Sequence, residues 1–300
     1  MRTASVSDLT AALQRHVNIL AGDIGERNVL RPAALHAAAD YIERQWAIRG
    51  CAVTRQKYLV RGVQCANVEA ALPSCLEPDE IIVLGTHYDT VPGSPGADDN
   101  ASGVAALLET MFLLRAFAPQ YSMRCVAFVN EEAPFFFRRD MGSLRYARAA
   151  RLRGDRIRLM LSLEMLGYYR DEPGTQAYPP LLRCFYPSSG NFIGFVSNLR
   201  SAQRLGWLTN AFQASSDFPL QRAALSWWVP GVALSDHSSF WREGFPAVMV
   251  TDTAYLRNPH YHTAHDVPAT LDYGRMAAVT LGLAASVASL TPTPAGPGMR

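Results

Sequence analysis

Three hundred residues make room for one large domain or two small ones. Apolar residues make up 49% of the chain and charged residues 18%, which excludes a disordered protein and leaves enough apolar surface for an unstapled core. The 28 basic and 26 acidic residues nearly cancel, which argues against a protein that tracks nucleic-acid phosphates.

In chain order, Leu9, Leu13, Val17 and Leu20 recur at helical spacing, with Ser7 or Asp8 as the cap. A second helix opens at Pro32, carries Leu35, Ala39, Ile42 and Trp46 on one stripe, and stops at Gly50. Cys51 to Val60 and Gln64 to Leu72 read as strands about an Arg61-Gly62 turn, and 73–79 as a loop. Ile81 to Gly85, Arg124 to Asn130 and Leu159 to Leu163 are uniformly apolar, as strands covered on both faces are. A helix over Ala101 to Phe117, a late strand over Gly244 to Thr251, and a closing helix over Leu271 to Leu290 capped by Asp272 complete the pattern. The alternation predicts an α/β fold with a mostly parallel, mixed central sheet and helices on both faces. Residues 1–290 are expected to form one domain, with 171–230 as an elaboration over the sheet edge and 291–300 as a loose tail.

Five cysteines (Cys51, Cys65, Cys75, Cys125 and Cys184) include no C-x-x-C pair. Their odd count and loose spacing predict free thiols in a reducing compartment and exclude a cysteine zinc site. The first residues lack the charged-then-apolar pattern of a secretory leader, so a cytoplasmic protein is expected. The longest apolar-rich stretch, Met276 to Leu290, is about a residue or two short of a membrane span.

Ligands of open α/β sheets bind beyond the carboxyl ends of the strands. Polar groups follow each buried strand here: His87 and Asp89, Glu131 and Glu132, Glu164, then Asp252 and the Asn258–His262 stretch. Asp98 and Asp99 precede the helix at 101. Each residue alone has an ordinary explanation as a cap, a solvated acid or a hydrogen-bonded histidine. Together, converging carboxylates would repel and desolvate one another without a cation. Oxygen and nitrogen donors without thiolates suit catalytic zinc, with manganese or cobalt as lesser options. Of the pair Glu131-Glu132, one carboxylate can bind metal while its neighbour takes a proton from an activated water.

The segments GTHYDT, GADDNASG, NEEAPFF, LEMLGYY, LSDHSSFW and NPHYHTAHD occur in an order that resembles the co-catalytic dizinc aminopeptidases, the relatives of aminopeptidase Y and the bacterial leucyl aminopeptidases. Glutamate carboxypeptidase II and the glutaminyl cyclases share that fold. The resemblance covers roughly Ile81 to Leu290. It implies two zinc ions held by His87, Asp99, Glu132, Glu164 and His262, with Asp99 bridging and a cis peptide after it. It also implies Glu131 as general base and Asp89 as the partner of the His87 imidazole. Glu164 stands where many leucyl aminopeptidases have Asp, so metal spacing and the filling of one site are open, and Val267 replaces a usual Thr. His262 is preferred over His260 and His265 by motif register. Asp236 and His237 are expected beside the site as substrate-positioning groups, and Met165, Tyr168, Tyr169, Tyr255 and Tyr261 as lining for an apolar side-chain pocket.

The implied activity is removal of amino-terminal residues from a peptide or aminoacyl substrate, without nucleic acid or membrane span. Glutaminyl cyclase, a one-zinc acyltransferase, is the nearest rival, although cyclases carry Trp where this chain has Tyr261. A glutamate-releasing carboxypeptidase would want a basic pocket, which Arg138, Arg139 or Arg257 could supply. A catalytically inactive binding relative need not have kept Glu131.

Overall fold

The computed structural model describes residues 5–74, 76–179 and 182–291; Cys75 and nearly all of the expected tail lie outside them. Eight strands form one sheet in the order β1-β2-β4-β3-β5-β8-β6-β7. They are β1 (Ala52–Val60), β2 (Val63–Leu72), β3 (Glu77–His87), β4 (Tyr121–Phe128), β5 (Arg156–Glu164), β6 (Ile193–Asn198), β7 (Leu220–Leu225) and β8 (Ala247–Thr251). The central four, β4-β3-β5-β8, are mutually parallel. β1 pairs antiparallel with β2 and β2 with β4, while β6 runs antiparallel to β8. The sheet is therefore mixed around a parallel centre, as the alternating pattern predicts.

Side-chain alternation on β3 shows why its sequence is apolar throughout. Ile82 and Leu84 enter a core shared with α1 (Val6–Val17), α2 (Pro32–Ala47), α3 (Gly103–Phe117), α5 (Ala202–Ser215) and α7 (Tyr273–Ser289). Ile81 and Val83 enter a second core with Tyr146, Ala147 and Ala150 of α4 (Gly142–Arg153) and Phe240 of α6 (His237–Arg242). A strand buried on both faces has no polar side.

Several boundaries move for local reasons. α1 is capped by Ser5, not Ser7 or Asp8; Asp8 completes the reciprocal capping box. β3 outruns Ile81–Gly85 at both ends because its ladder with β4 continues through Thr86 and His87. β4 stops short of Asn130, whose φ of 60° turns the chain. The late strand starts at Ala247, after Gly244 at φ 86° has closed α6. Arg61 and Gly62 both take positive φ, as a tight hairpin requires.

The larger correction concerns residues 171–230. They do not lie over the sheet edge; they extend the sheet itself by β6 and β7 and add the 14-residue α5. Pro and Ser punctuation hides two short strands, and neither is long enough to show a period. Among the described residues no helix is long and apolar enough to cross a membrane.

Gly103 opens α3 where a side chain has no room. A Cβ there would collide with the side chains of Asn100 and Thr86 and approach the Leu163 carbonyl to 2.8 Å. Gly103→Ala should cost about 1–3 kcal/mol, as overpacking does. Urea denaturation of the two proteins checks it; unchanged stability would show that this junction can yield.

Candidate metal centre

Parallel register brings the carboxyl ends of β3, β4, β5 and β8 to one edge. His87 is the last residue of β3, Glu164 the last of β5, and Glu131-Glu132 follow β4 after the Asn130 turn. Asp99 sits in a wide helical turn, Ala97–Ser102, and the Asp99–Asn100 peptide is cis. His262 arrives from the loop after β8 and itself holds φ 59°. Met165, immediately after Glu164, is left-handed as well, at 50°. Non-glycine residues in that region cost about 1 kcal/mol or more each and cluster at functional sites.

The five expected donors converge. His87 Nε2 lies 3.3 Å from Asp99 Oδ1 and 3.5 Å from Glu164 Oε2. His262 Nε2 lies 3.1 Å from Asp99 Oδ2 and 3.4 Å from Glu132 Oε1. Asp99 thus turns one oxygen to each group. Two donors bound tetrahedrally at about 2.0–2.2 Å from one zinc lie roughly 3.3–3.6 Å apart. Three of the four donor spacings match that edge and the fourth, at 3.1 Å, falls just short of it; the donor set contains no thiolate, so the residues fit zinc, with Asp99 facing both donor groups. The atoms of His87, Glu131 and Glu132 also come within 4.8 Å of one another. His260 and His265 take no part in these groupings; their rings pack against each other, and His260 also faces Tyr168.

Burial sets the electrostatics. It pushes Glu131 well above the ordinary carboxylic range, and Glu132, Glu164 and Asp236 nearby push the same way against His87. Glu132 rises to about 8 through burial and Asp99. Burial would raise Asp99 too, but the contacts to His262 and His87 hold it low. Burial would lower both imidazoles; the surrounding carboxylates instead raise His87 well above its usual value and His262 to about 10.

Asp89 departs from its expected role. The His87 Nδ1 meets the Asp89 backbone carbonyl at 3.1 Å, and the Asp89 carboxylate stands 3.7 Å away, too far for a hydrogen bond. That carboxylate accepts instead from the backbone N–H groups of Glu131 and Glu132, at 3.1 and 3.2 Å. It therefore fixes the turn carrying both glutamates.

The Asp236-His237 pair separates. Asp236 is fully buried and close enough to His87, Glu164 and Asp89 to sense their charge, and burial lifts it to about 7. His237 turns to the Val232 carbonyl (2.8 Å) and the edge of Trp241, and burial lowers it to about 4. An α-helix start sends neighbouring side chains in different directions, so the two cannot share the site.

An apolar cavity of about 120 Å³ reaches Glu164 and is lined by Tyr255 and Tyr261, with Leu225, Val232 and Met249 among the walls. Tyr261 also stacks on His262, with ring centroids 3.7 Å apart. Met165, Tyr168 and Tyr169 are buried elsewhere; Tyr169 packs on Phe218 and donates to the Leu166 carbonyl. Arg138 and Arg139 are exposed and stand outside the cavity lining, and Arg257 is buried against the Phe192 carbonyl and Gln176. None of the three makes a basic pocket.

Sequence reasoning missed the supports. Asn100 accepts from the backbone of Gly103 and Met165 and donates to Thr86 and the Leu163 carbonyl, tying the turn to β3 and β5. Asp98 accepts from Gly167 N–H and Asn258 Nδ2, and Asp266 from the N–H groups of Asp98 and Asp99. Ser235 donates to Glu164 Oε2 at 2.6 Å. The Asp-Asp-Asn run was the available signal: three hydrogen-bonding side chains before a helix exceed what one cap uses.

The fold and the site define a metal-dependent peptidase of the zinc-exopeptidase type. Residues 67–287 match the model of peptidase family M28, and the chain belongs to that family. The chain is 35% identical over 280 residues to the uncharacterized protein YfbL of Escherichia coli, covering 90% of this chain and 85% of that one. It is 25% identical to a probable leucine aminopeptidase of Arthroderma otae, spanning 74% of this chain but only 57% of that protein. Among solved structures, a zinc aminopeptidase from Bacillus subtilis superposes with a TM-score of 0.71 at 15% identity, over 93% of this chain and 94% of the other. A Bacteroides thetaiotaomicron glutaminyl cyclase gives 0.68 at 18%, over 96% and 98%. At such identities the structures share the fold.

The metal-free protein should lose stability as pH rises from about 6.5 to 9. Glu132, Asp236 and His262 all have folded values above their ordinary ones. The folded state then holds more protons than the unfolded chain, so stability falls as they leave. Melting temperatures of chelated protein across that range check the slope; a rise with pH would refute the electrostatic account.

Proposed function

We propose that the protein is an aminopeptidase that uses two zinc ions and Glu131 to hydrolyse the first peptide bond of a peptide with an apolar amino-terminal residue. The observation that carries this is the division of Asp99 between two donor groups, with a further buried carboxylate, Glu131, within 4.8 Å of His87 and Glu132. Bound zinc supplies Lewis acidity and a lowered pKa for water in an open position. The chain's residues do the rest. Glu131, held by the Asp89 clamp on its own N–H, takes the proton of the attacking water and delivers it to the leaving nitrogen. Glu164 is the one acidic residue lining the apolar cavity, so we place the substrate amine there. A substrate seated there places its first side chain in the cavity and its first carbonyl toward Glu131.

The same observations weigh on the rivals. A one-zinc cyclase has no use for Asp99 shared between two donor groups. A glutamate-releasing carboxypeptidase is disfavoured by a cavity whose wall is mostly apolar and whose one arginine, Arg222, donates to Thr209 Oγ1. An inactive relative is disfavoured by the complete donor set with Glu131 in reach of it. We take the eight strands of one sheet as the reason to treat 5–290 as one catalytic unit. The unpaired Cys51, Cys65, Cys125 and Cys184 support a reducing, cytoplasmic setting.

Glu131→Gln should lower turnover of a leucyl substrate by about 10²–10⁴-fold with metal content unchanged. Glu132→Gln should instead lower metal content, since an amide replaces a charged donor. Metal analysis and initial rates on the zinc-loaded variants separate the two roles. Near-normal turnover in Glu131→Gln would remove the general base from the proposal.

Filling the cavity should shift specificity without touching chemistry. Val196, in its wall, changed to Phe should cut kcat/KM for leucyl substrates more than for alanyl ones. Equal losses on both would show that this cavity does not receive the side chain.

A further inference from the structure

Arg27 lies outside residues 67–287 that match the family model, in the stretch between α1 and α2. Its side chain is wholly buried, although it ends in a charged guanidinium. A buried guanidinium is costly unless every donor finds a partner. Here Nε donates to the Tyr88 carbonyl at 2.7 Å and Nη2 to the Gly96 carbonyl at 2.8 Å. Nη1 donates to the carbonyls of Pro95 at 2.6 Å, Gly25 at 3.0 Å and Leu20 at 3.2 Å. The Arg27 backbone N–H donates to Thr90 Oγ1, and its carbonyl accepts from the Thr90 N–H.

These partners are not scattered. Tyr88 stands between His87 and Asp89, and Pro95-Gly96 stand three to four residues before Asp99. One planar fork thus grips both ends of the loop that separates two metal donors. Gly96 adopts φ 61°, and a Cβ there would collide with the Asp99 carbonyl and Thr90, so the loop is pressed closed on Arg27. The charges of Asp266, Asp89 and Asp99 favour the charged guanidinium against its burial.

We infer that Arg27 is a positioning residue that sets the separation of His87 from Asp99, so that the N-terminal segment completes the metal centre. This rests on the zinc reading above. A lysine keeps the charge but offers one donating point where the fork offers three nitrogens in a plane. A purely structural arginine would alter stability when replaced and leave the zinc affinity of the folded protein alone.

Chelator competition on folded Arg27→Lys should show zinc binding weakened by about 10–100-fold, the usual consequence of disturbing a ligand's support. Affinity equal to the parent's overturns the inference. The parent protein offers a second measurement, should the variant not fold. Coupling is reciprocal, so zinc should slow hydrogen exchange at residues 20–31 as well as at 88–99. Protection at 88–99 alone overturns the role of Arg27 and leaves the zinc reading standing. Protection at neither, with no zinc bound, overturns both.

Discussion

The site is governed by the cost of crowding carboxylates away from water. Asp89, Asp98, Asp99, Glu131, Glu132, Glu164, Asp236, Asp252 and Asp266 are all buried at one edge of the sheet. Eight of them fall into two classes by what they accept; the ninth, Asp236, has neither oxygen hydrogen-bonded and stands apart at the start of α6. Asp89, Asp98, Asp252 and Asp266 each take backbone N–H groups, at Glu131 and Glu132, Gly167, Tyr168 and Ala254, and Asp98 and Asp99. These four shape the loops. Among the described residues, Asp99, Glu131, Glu132 and Glu164 have no backbone donor; they face the imidazoles and one another. A carboxylate with its lone pairs committed to the backbone is a poor metal ligand. The uncommitted ones are those a cation must stabilise.

Topology decides where this crowding occurs. The chain passes from β3 to its neighbour β4, then crosses back over β3 to β5 on the other side. The connections leave in opposite directions and open a crevice at the carboxyl end of β3. His87 ends that strand, so the crevice is centred on a donor. The turns that leave β4 and β5 then need sharp reversals, which Asn130 and Met165 provide by entering the left-handed region. The Asn130 reversal turns Glu131 and Glu132 over the crevice, while Met165 turns the chain away directly after Glu164, the last residue of β5. The packed core on both faces of the parallel strands holds these turns in place.

Buried strands and donor residues were legible in the sequence for related reasons. A strand covered on both faces is uniformly apolar, so the polar residue that ends it stands out, as His87 and Glu164 do after IIVLGT and LMLSL. The supports were not legible, because their partners are backbone groups distant in sequence. Asp89 reaches across 42 residues to Glu131, and Asp98 across 69 to Gly167. Spacing rules that work along one helix say nothing about such pairs. The i, i+2 relation between His87 and Asp89 pointed to a side-chain contact, but the imidazole takes the nearer carbonyl and frees the carboxylate for the β4 turn. β6 and β7 were hidden differently: at six residues each, on the outer side of the sheet, they carry no uniform apolar run.

That late part of the sheet separates two tasks. The donors and Glu131 come from the ends of β3, β4 and β5, the turn before α3 and the loop after β8, and the three strands are packed on both faces. The apolar cavity takes Phe195 and Val196 from β6 and Arg222 and Ala223 from β7, together with the following loop through Leu234. Ser235 ends that loop and donates to Glu164. The wall of the cavity and the Glu164 carboxylate are therefore joined by one hydrogen bond, itself backed by Ser162 at 2.9 Å. Side chains on β6 and β7 can change the size of the cavity without moving a donor. Changes near Ser235 cannot, because there the wall and the donor are the same structure.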